Sequence, residues 1–278
     1  MEISCLTWNT AKRVKCVLEQ KNFIEKFDPD IVALQEILLS SEVKFKQLLL
    51  KNYKYILSSF ELAPDLNLLT HKRMFGQIIA SKFPLKPEDP NNFDIPWKER
   101  VLSAKIKIKD KNIYFHTTHI PPGSSNGWIK IETLEGIYNR LIKTKDSLNI
   151  LCGDFNLPKE ESVSKGMLSF AQTKNVKDEV KIKNTFRGGD GKRWDIGERN
   201  IMIGLKEYGI EDSFRNLYSY KTQEYSWKFK RKDKILKRRF DHFFANKRFK
   251  VVSAKYLHSQ KKLSDHSSLL VKYDIKNA

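Results

Sequence analysis

Cysteine is scarce in this sequence. Its three residues, Cys5, Cys16 and Cys152, are an odd number in mostly apolar surroundings. That argues against a disulfide framework and suits reduced, buried thiols in a reducing compartment. Long hydrophobic runs are also missing, which excludes a membrane-spanning helix. No basic region precedes an apolar stretch at the start, since Met1 to Leu6 leads straight into a strand, so a secretory signal is not expected. The chain reads as soluble, intracellular and cytoplasmic. No Pro/Gly/Ser-rich linker and no internal repeat divides its 278 residues, and one domain over 1–278 is expected. Acidic residues are the minority, 33 against 52 basic, giving a formal charge of +19. Such a field draws polyanions, with nucleic acid the first candidate. Lysine is also an ordinary solubilising surface residue, so charge alone does not decide the substrate.

What is present starts with enough apolar content, 40% hydrophobic and 12% aromatic, to bury a sizeable core. Ile3–Trp8 and Ile31–Leu34 read as short apolar strands, the second delivering Gln35 and Glu36 at its end. Val14 to Phe27 reads as a helix with Val14, Val17, Leu18, Ile24 and Phe27 at helical spacing, and Val43–Leu50 as a second. Ala104–Lys109 alternates apolar with lysine, the pattern of a half-buried strand, and Asn112–Thr118 follows as a strand ending at His119. Leu134, Ile137, Tyr138 and Leu141 mark another helix. The stretch Gln172–Asn200 is polar, basic and glycine-containing, and reads as loop with short helical pieces. Strands return at Tyr225–Phe229, Arg239–Ala245, Phe249–Leu257 and Ser267–Tyr273. Such a mixture suggests packed sheets with helices outside.

The chemistry gathers on a few polar residues at strand ends. Leu148–Cys152 is an apolar run that Gly153 ends abruptly, so that Asp154 and Asn156 project from its tip. Lying two apart on an extended segment, they face one side and can hold a water between them, Asp154 as general base and Asn156 as orienting group. An Asx-turn closing the strand reads equally well. Glu36 is the first choice for a ligand to magnesium, which prefers oxygen donors and needs few of them from protein. Asn9 suits the metal directly or through water, and Asp265 offers a further carboxylate. Oxygen ligands do not separate magnesium from manganese. His266 is placed to donate to charge building on phosphorus, and Asp241 is a carboxylate in an otherwise apolar strand that needs a partner; we pair the two. His119, at a strand rim, is a second donor to phosphate or a structural histidine.

The ordered set Trp8-Asn9, Gln35-Glu36, Gly153-Asp154-Phe155-Asn156, Arg239-Phe240-Asp241-His242-Phe243-Phe244 and Ser264-Asp265-His266 resembles the endonuclease/exonuclease/phosphatase superfamily across nearly the whole chain. The resemblance implies an α+β fold, a four-layered α/β/β/α sandwich of two mixed sheets packed face to face with helices outside. It also implies a magnesium-dependent phosphoesterase site at one end. Asn9 and Glu36 carry over as metal-site residues and Asp265 as a further residue near them. Asp154 and Asn156 position the nucleophile, and Asp241 with His266 stabilises the transition state. The run Gly209 to Arg215 with Tyr225-Ser226-Trp227 is similar to exonuclease III type apurinic-site endonucleases. His119 looks more like deoxyribonuclease I, the tyrosyl-DNA phosphodiesterases and the sphingomyelinases, where the exonuclease III type has tyrosine.

Substrate contacts are expected from cations flanking these motifs. Lys228, Lys230, Arg231 and Lys232, with Trp227, form one basic lip, and Arg187 and Arg193 form an opposing one. The sequence therefore reads as a monomeric magnesium-dependent phosphodiesterase acting on nucleic acid, DNA first, of repair type. Two rivals remain at this point: a small-molecule or lipid phosphoesterase resembling an inositol-phosphate phosphatase or sphingomyelinase, and a non-catalytic nucleic-acid-binding module.

Overall fold

Two early strands carry apolar residues facing both ways because both of their faces are covered. In the computed structural model, which describes residues 1–63, 65–231, 234–259 and 261–275, β1 (Glu2–Asn9) and β2 (Ile31–Leu38) run parallel inside a six-stranded sheet. Cys5, Ile31 and Ala33 join a core cluster shared with the second sheet. Leu6, Trp8, Val32 and Leu34 instead join one with the helices α1 (Val17–Glu25) and α2 (Leu39–Leu49). A period of two thus divides one apolar run between two cores.

The remaining strands are β3 (Tyr55–Ser58), β4 (Phe75–Ser81), β5 (Leu85–Pro87), β6 (Val101–Ile108), β7 (Lys111–His119), β8 (Leu148–Asp154), β9 (Ile210–Asp212), β10 (Trp227–Arg231), β11 (Lys234–Arg238), β12 (Asp241–Asn246), β13 (Lys250–Leu257) and β14 (Ser268–Asp274). Short two-stranded hairpins fall between residues 160 and 190. One sheet has the order β13-β14-β1-β2-β4-β3 and the other β9-β12-β8-β7-β6-β5. Both are mixed, with β1/β2 and β7/β8 their parallel pairs. Ile106, Phe115, Ile150, Phe243 and Val271 fill the space between them. On the outer face of the second sheet, Leu151, Phe155 and Phe244 meet α3 (Ile129–Lys143) and α4 (Gly191–Met202) through Leu134, Ile137, Trp194 and Ile201. The result is the expected α/β/β/α sandwich.

Three local expectations are corrected. Helix α1 starts at Val17, and Val14, Leu18 and Phe27 are exposed. Its buried face instead includes Gln20, whose amide donates to the carbonyls of Thr10 (3.0 Å) and Leu263 (2.7 Å), so a satisfied polar side chain takes an apolar one's place. Strand β2 does not end at Glu36 but continues past a bulge to Leu38. Within Gln172–Asn200, the twelve-residue helix α4 replaces much of the expected loop. Its start is signalled by Asp190, which caps the Lys192 amide at 2.8 Å. Gly197 disguised the rest: it lets α4 approach Ile131 of α3 so closely that a Cβ there would lie 2.9 Å from Ile131. Among the described residues, no helix is long and apolar enough to cross a membrane.

Candidate active site

Both sheets present strand ends to the same rim, and the polar residues gather there. Asn9 ends β1, Glu36 sits on the β2 bulge, His119 ends β7 and Asp154 ends β8. Asp241 opens β12, and His266 lies just before β14. Asp154 is in register with both His119 and Asp241 on neighbouring strands. The bulge gives Glu36 a φ of +54° and aims its carboxylate into the groove formed there.

Gly153 makes the Asp154 tip possible. Its φ is +131°, and a Cβ built on it would lie 2.0 Å from the Thr118 carbonyl oxygen of β7. Gly153→Ala is therefore expected to destabilise the fold by roughly 2–6 kcal/mol, backbone strain plus overpacking, as read from urea unfolding. A loss below about 1 kcal/mol would contradict this account of the turn.

Past Gly153, the chain turns on Asp154. Its Oδ1 accepts from the Asn156 amide at 2.8 Å, an Asx-turn, while Asn156 takes φ +51° and its Nδ2 donates to the Ile120 carbonyl at 2.9 Å. The turn and the site are thus one object. The Asn9 Nδ2 donates to Asp154 Oδ2 at 2.8 Å, and the Asn9 Oδ1 accepts from the Ala11 amide. Asn9 therefore sits against Asp154 at the edge of the carboxylate cluster. Burial pushes the Asp154 carboxyl up to about 7, with Asp241 and Glu36 adding to the rise and His266 opposing it.

His266 and Asp241 lie together: Nδ1 is 2.7 Å from Asp241 Oδ2. Burial lowers the imidazole's affinity for a proton, but the Asp241 and Asp154 charges outweigh it and raise its pKa to about 10. The ring is an imidazolium at neutral pH, with Nδ1 donating to Asp241 and Nε2 3.9 Å from Asp154 Oδ2. Trp8 Nε1 donates to the His266 carbonyl, and Ser264 Oγ accepts from the His266 amide while donating to the Asn9 carbonyl. Ser264-Asp265-His266 is pinned to the tip of β1.

His119 is the opposite case. Burial and the neighbouring Arg100 hold its pKa well below the usual imidazole range. A guanidinium only donates, so Arg100, 3.0 Å from Nδ1, makes that nitrogen the acceptor and puts the proton of the neutral ring on Nε2. Nε2 lies 3.3 Å from Glu36 Oε1 and 3.8 Å from Asp154 Oδ2, yet it is buried without a hydrogen-bond partner. One ligand atom each from Glu36, His119 and Asp154 falls within 4.8 Å of the others. Because Nε2 carries the proton, the two carboxylates are the ligands such a cluster offers, and His119 is a donor. Two such oxygen donors close together suit a hard divalent cation.

The groove beside these groups measures about 430 Å³. Arg187, Trp227 and Asp265 line it, as do Arg238 and Phe240 from the basic run and motif around them, together with residues the sequence did not single out: Lys12, Lys130 and Phe170. Lys130 is buried, its Nζ donating to the Asn156 carbonyl (2.9 Å) and to Glu198 (2.6 Å). It holds the nucleophile turn from behind. The signal was available, since Lys130 falls four residues before Leu134 on the apolar stripe of α3. Arg100 had no comparable mark among the chain's many cations. Lys228 and Lys230 line an adjacent groove that shares Asp265 and His266, not the catalytic one. Arg193 is corrected more strongly. One position from Trp194 on α4, it turns away and forms a two-point pair with Glu135 at 2.9 and 2.7 Å. Arg231 ends β10, and Lys232 lies outside the described residues.

A four-layer sandwich with this cluster at one end of its sheets defines a class of phosphoric ester hydrolases. The chain belongs to the Endonuclease/Exonuclease/phosphatase family, whose profile matches residues 6–266. Enzymes of this family are typically dependent on a divalent metal. Among solved structures, the chain is similar to an AP endonuclease from Archaeoglobus fulgidus (19% identity, TM-score 0.67). It is also similar to the 3' phosphatase NExo from Neisseria bound to a product DNA hairpin (17%, 0.67) and to D. rerio TDP2 complexed with a single-strand DNA product (13%, 0.63). Each alignment covers 98% of this chain and 99% of the other. At these identities the likeness is one of fold. No curated protein sequence matches the chain significantly.

Proposed function

We propose that this chain, acting as a single-domain monomer, hydrolyses phosphodiester bonds of nucleic acid, DNA first, in a repair setting, with magnesium or manganese. The observation that carries the reading is the meeting of Glu36, Asp154 and His266 in a groove whose walls are cationic and aromatic, with Asp241 and His119 buried in contact with them. Lys12, Arg187 and Arg238 suit backbone phosphates, while Phe170, Trp227 and Phe240 suit sugars and bases. The net charge of +19 and the DNA-bound structural relatives support the same substrate.

Glu36, with Asp265 nearby, would hold the cation. When bound, it neutralises charge on the phosphoryl oxygens and the leaving oxygen. Asp154 accepts a proton from a water oriented with Asn156, and that water attacks phosphorus in line with the departing oxygen. The His266 imidazolium, kept charged by Asp241, donates through Nε2 to a non-bridging oxygen. His119 donates from the other side through its orphaned Nε2–H. Lys130 and Asn9 hold the Asp154 turn.

The test is purified protein against intact, abasic and single-stranded DNA, RNA and a phosphorylated inositol, with and without magnesium. Metal-dependent cleavage of nucleic acid, weakening steeply with salt, is expected. Turnover of the inositol phosphate alone would overturn the substrate assignment.

A further inference from the structure

The hairpin of β10 and β11 is a two-stranded ribbon outside both main sheets, and its two faces differ in chemistry. Cross-strand register puts Trp227 with Arg238 and Phe229 with Leu236 on one face, and Lys228 with Lys237 and Lys230 with Ile235 on the other. On the first face, three rings form a column. Phe240 stacks on Trp227 at 5.3 Å, and Trp227 on Phe229 at 5.7 Å with planes only 4° apart. The column begins in the wall of the catalytic groove and stops at Phe229, which Trp227 covers on one side and which is 50% exposed. The solvent side of Phe229 is thus open for another flat ring to stack on.

The opposite face carries a standing repulsion. Lys228 and Lys237 sit directly across from each other, both leaning on the Tyr225 ring at 5.9 and 4.8 Å. Like charges so placed destabilise a ribbon, and a polyanion relieves them. This face borders the second groove, about 200 Å³, which Lys228, Lys230, Lys261 and His266 line. The ribbon therefore stands between two grooves that both reach Asp265 and His266.

We propose that the Trp227–Arg238 ribbon binds an unpaired nucleic-acid strand, stacking a base on Phe229 beside the scissile phosphate and seating backbone phosphates on its lysine face. The inference rests on the nucleic-acid reading above and narrows it. In a duplex each base face is already covered by its neighbours, so an open ring column serves only bases that are free to stack. A strand that bends from one groove to the other around His266 must also be flexible, whereas duplex stays stiff over about 150 base pairs.

The test compares the affinity of the full chain for a short oligothymidylate and for a blunt DNA duplex of equal length, by fluorescence anisotropy with divalent metal chelated. Wild type is expected to bind the single strand at least about tenfold more tightly. Phe229→Ala is expected to weaken single-strand binding by about tenfold, with the duplex much less affected and Phe229→Trp restoring the preference. Thermal unfolding of each variant checks that it is folded. Equal or tighter duplex binding by wild type, parallel loss on both ligands in Phe229→Ala, or no binding of either would overturn the proposal. Single-strand preference without hydrolysis once magnesium is restored would leave it standing and fault only the catalytic reading.

Discussion

Asp154→Asn is expected to lower phosphodiester cleavage by about 10²–10⁴-fold, the usual worth of a general base, while nucleic-acid binding stays within a few-fold of wild type. The substitution keeps the shape of the turn, since Oδ1 can still accept from the Asn156 amide. What disappears is the proton acceptor. Burial already holds this carboxyl up near 7, so its basicity is matched to neutral pH. The new amide would face the Asn9 amide now 2.8 Å from Oδ2, and one mispaired buried donor costs about 1–3 kcal/mol. Urea unfolding therefore separates the modest stability change from the large kinetic one. Wild-type turnover by the folded variant would remove Asp154 from the chemistry.

The second large effect concerns His266. His266→Gln is expected to reduce turnover by about 10²–10³-fold, comparable with loss of one donor to a developing oxyanion. Its pH signature is more diagnostic. Asp241 and Asp154 outweigh burial and raise the imidazolium pKa to about 10, so the alkaline limb of kcat belongs near pH 10, well above an ordinary histidine. Asp241→Asn removes the main supporting charge and is expected to move that limb toward neutrality. The sign for stability is the same. A folded pKa above the unfolded value means that the pair's contribution is complete below about pH 6.5 and is lost as pH rises through 10. An alkaline limb that does not move in Asp241→Asn would break the pairing's proposed role.

The layers were legible because the strands obey period two and the motifs sit at their ends. Ile31–Leu34 is apolar throughout since Ile31 and Ala33 enter one core and Val32 and Leu34 the other. The four-layer arrangement itself came from the resemblance, as no local pattern says which strands pair. The sequence misled where polar residues are buried with partners. Gln20 occupies the inner face of α1, and Lys130 lies in the apolar stripe of α3, paired with Glu198, which is 68 positions away. Such partners are set by tertiary contact. Spacing also cannot give a side chain's azimuth: Trp194 lines the groove while its neighbour Arg193 pairs with Glu135 outside it. The tautomer of His119 required Arg100 beside it, and nothing in the order of residues announces that contact.

The central claim is that water held at Asp154 cleaves a nucleic-acid phosphodiester at phosphorus. Mass spectrometry of the products of a single turnover of single-stranded DNA with magnesium in ¹⁸O-water tests it directly. One ¹⁸O on the phosphate-bearing product is the expected result. Label on the hydroxyl-bearing fragment, or no hydrolysis, would contradict it.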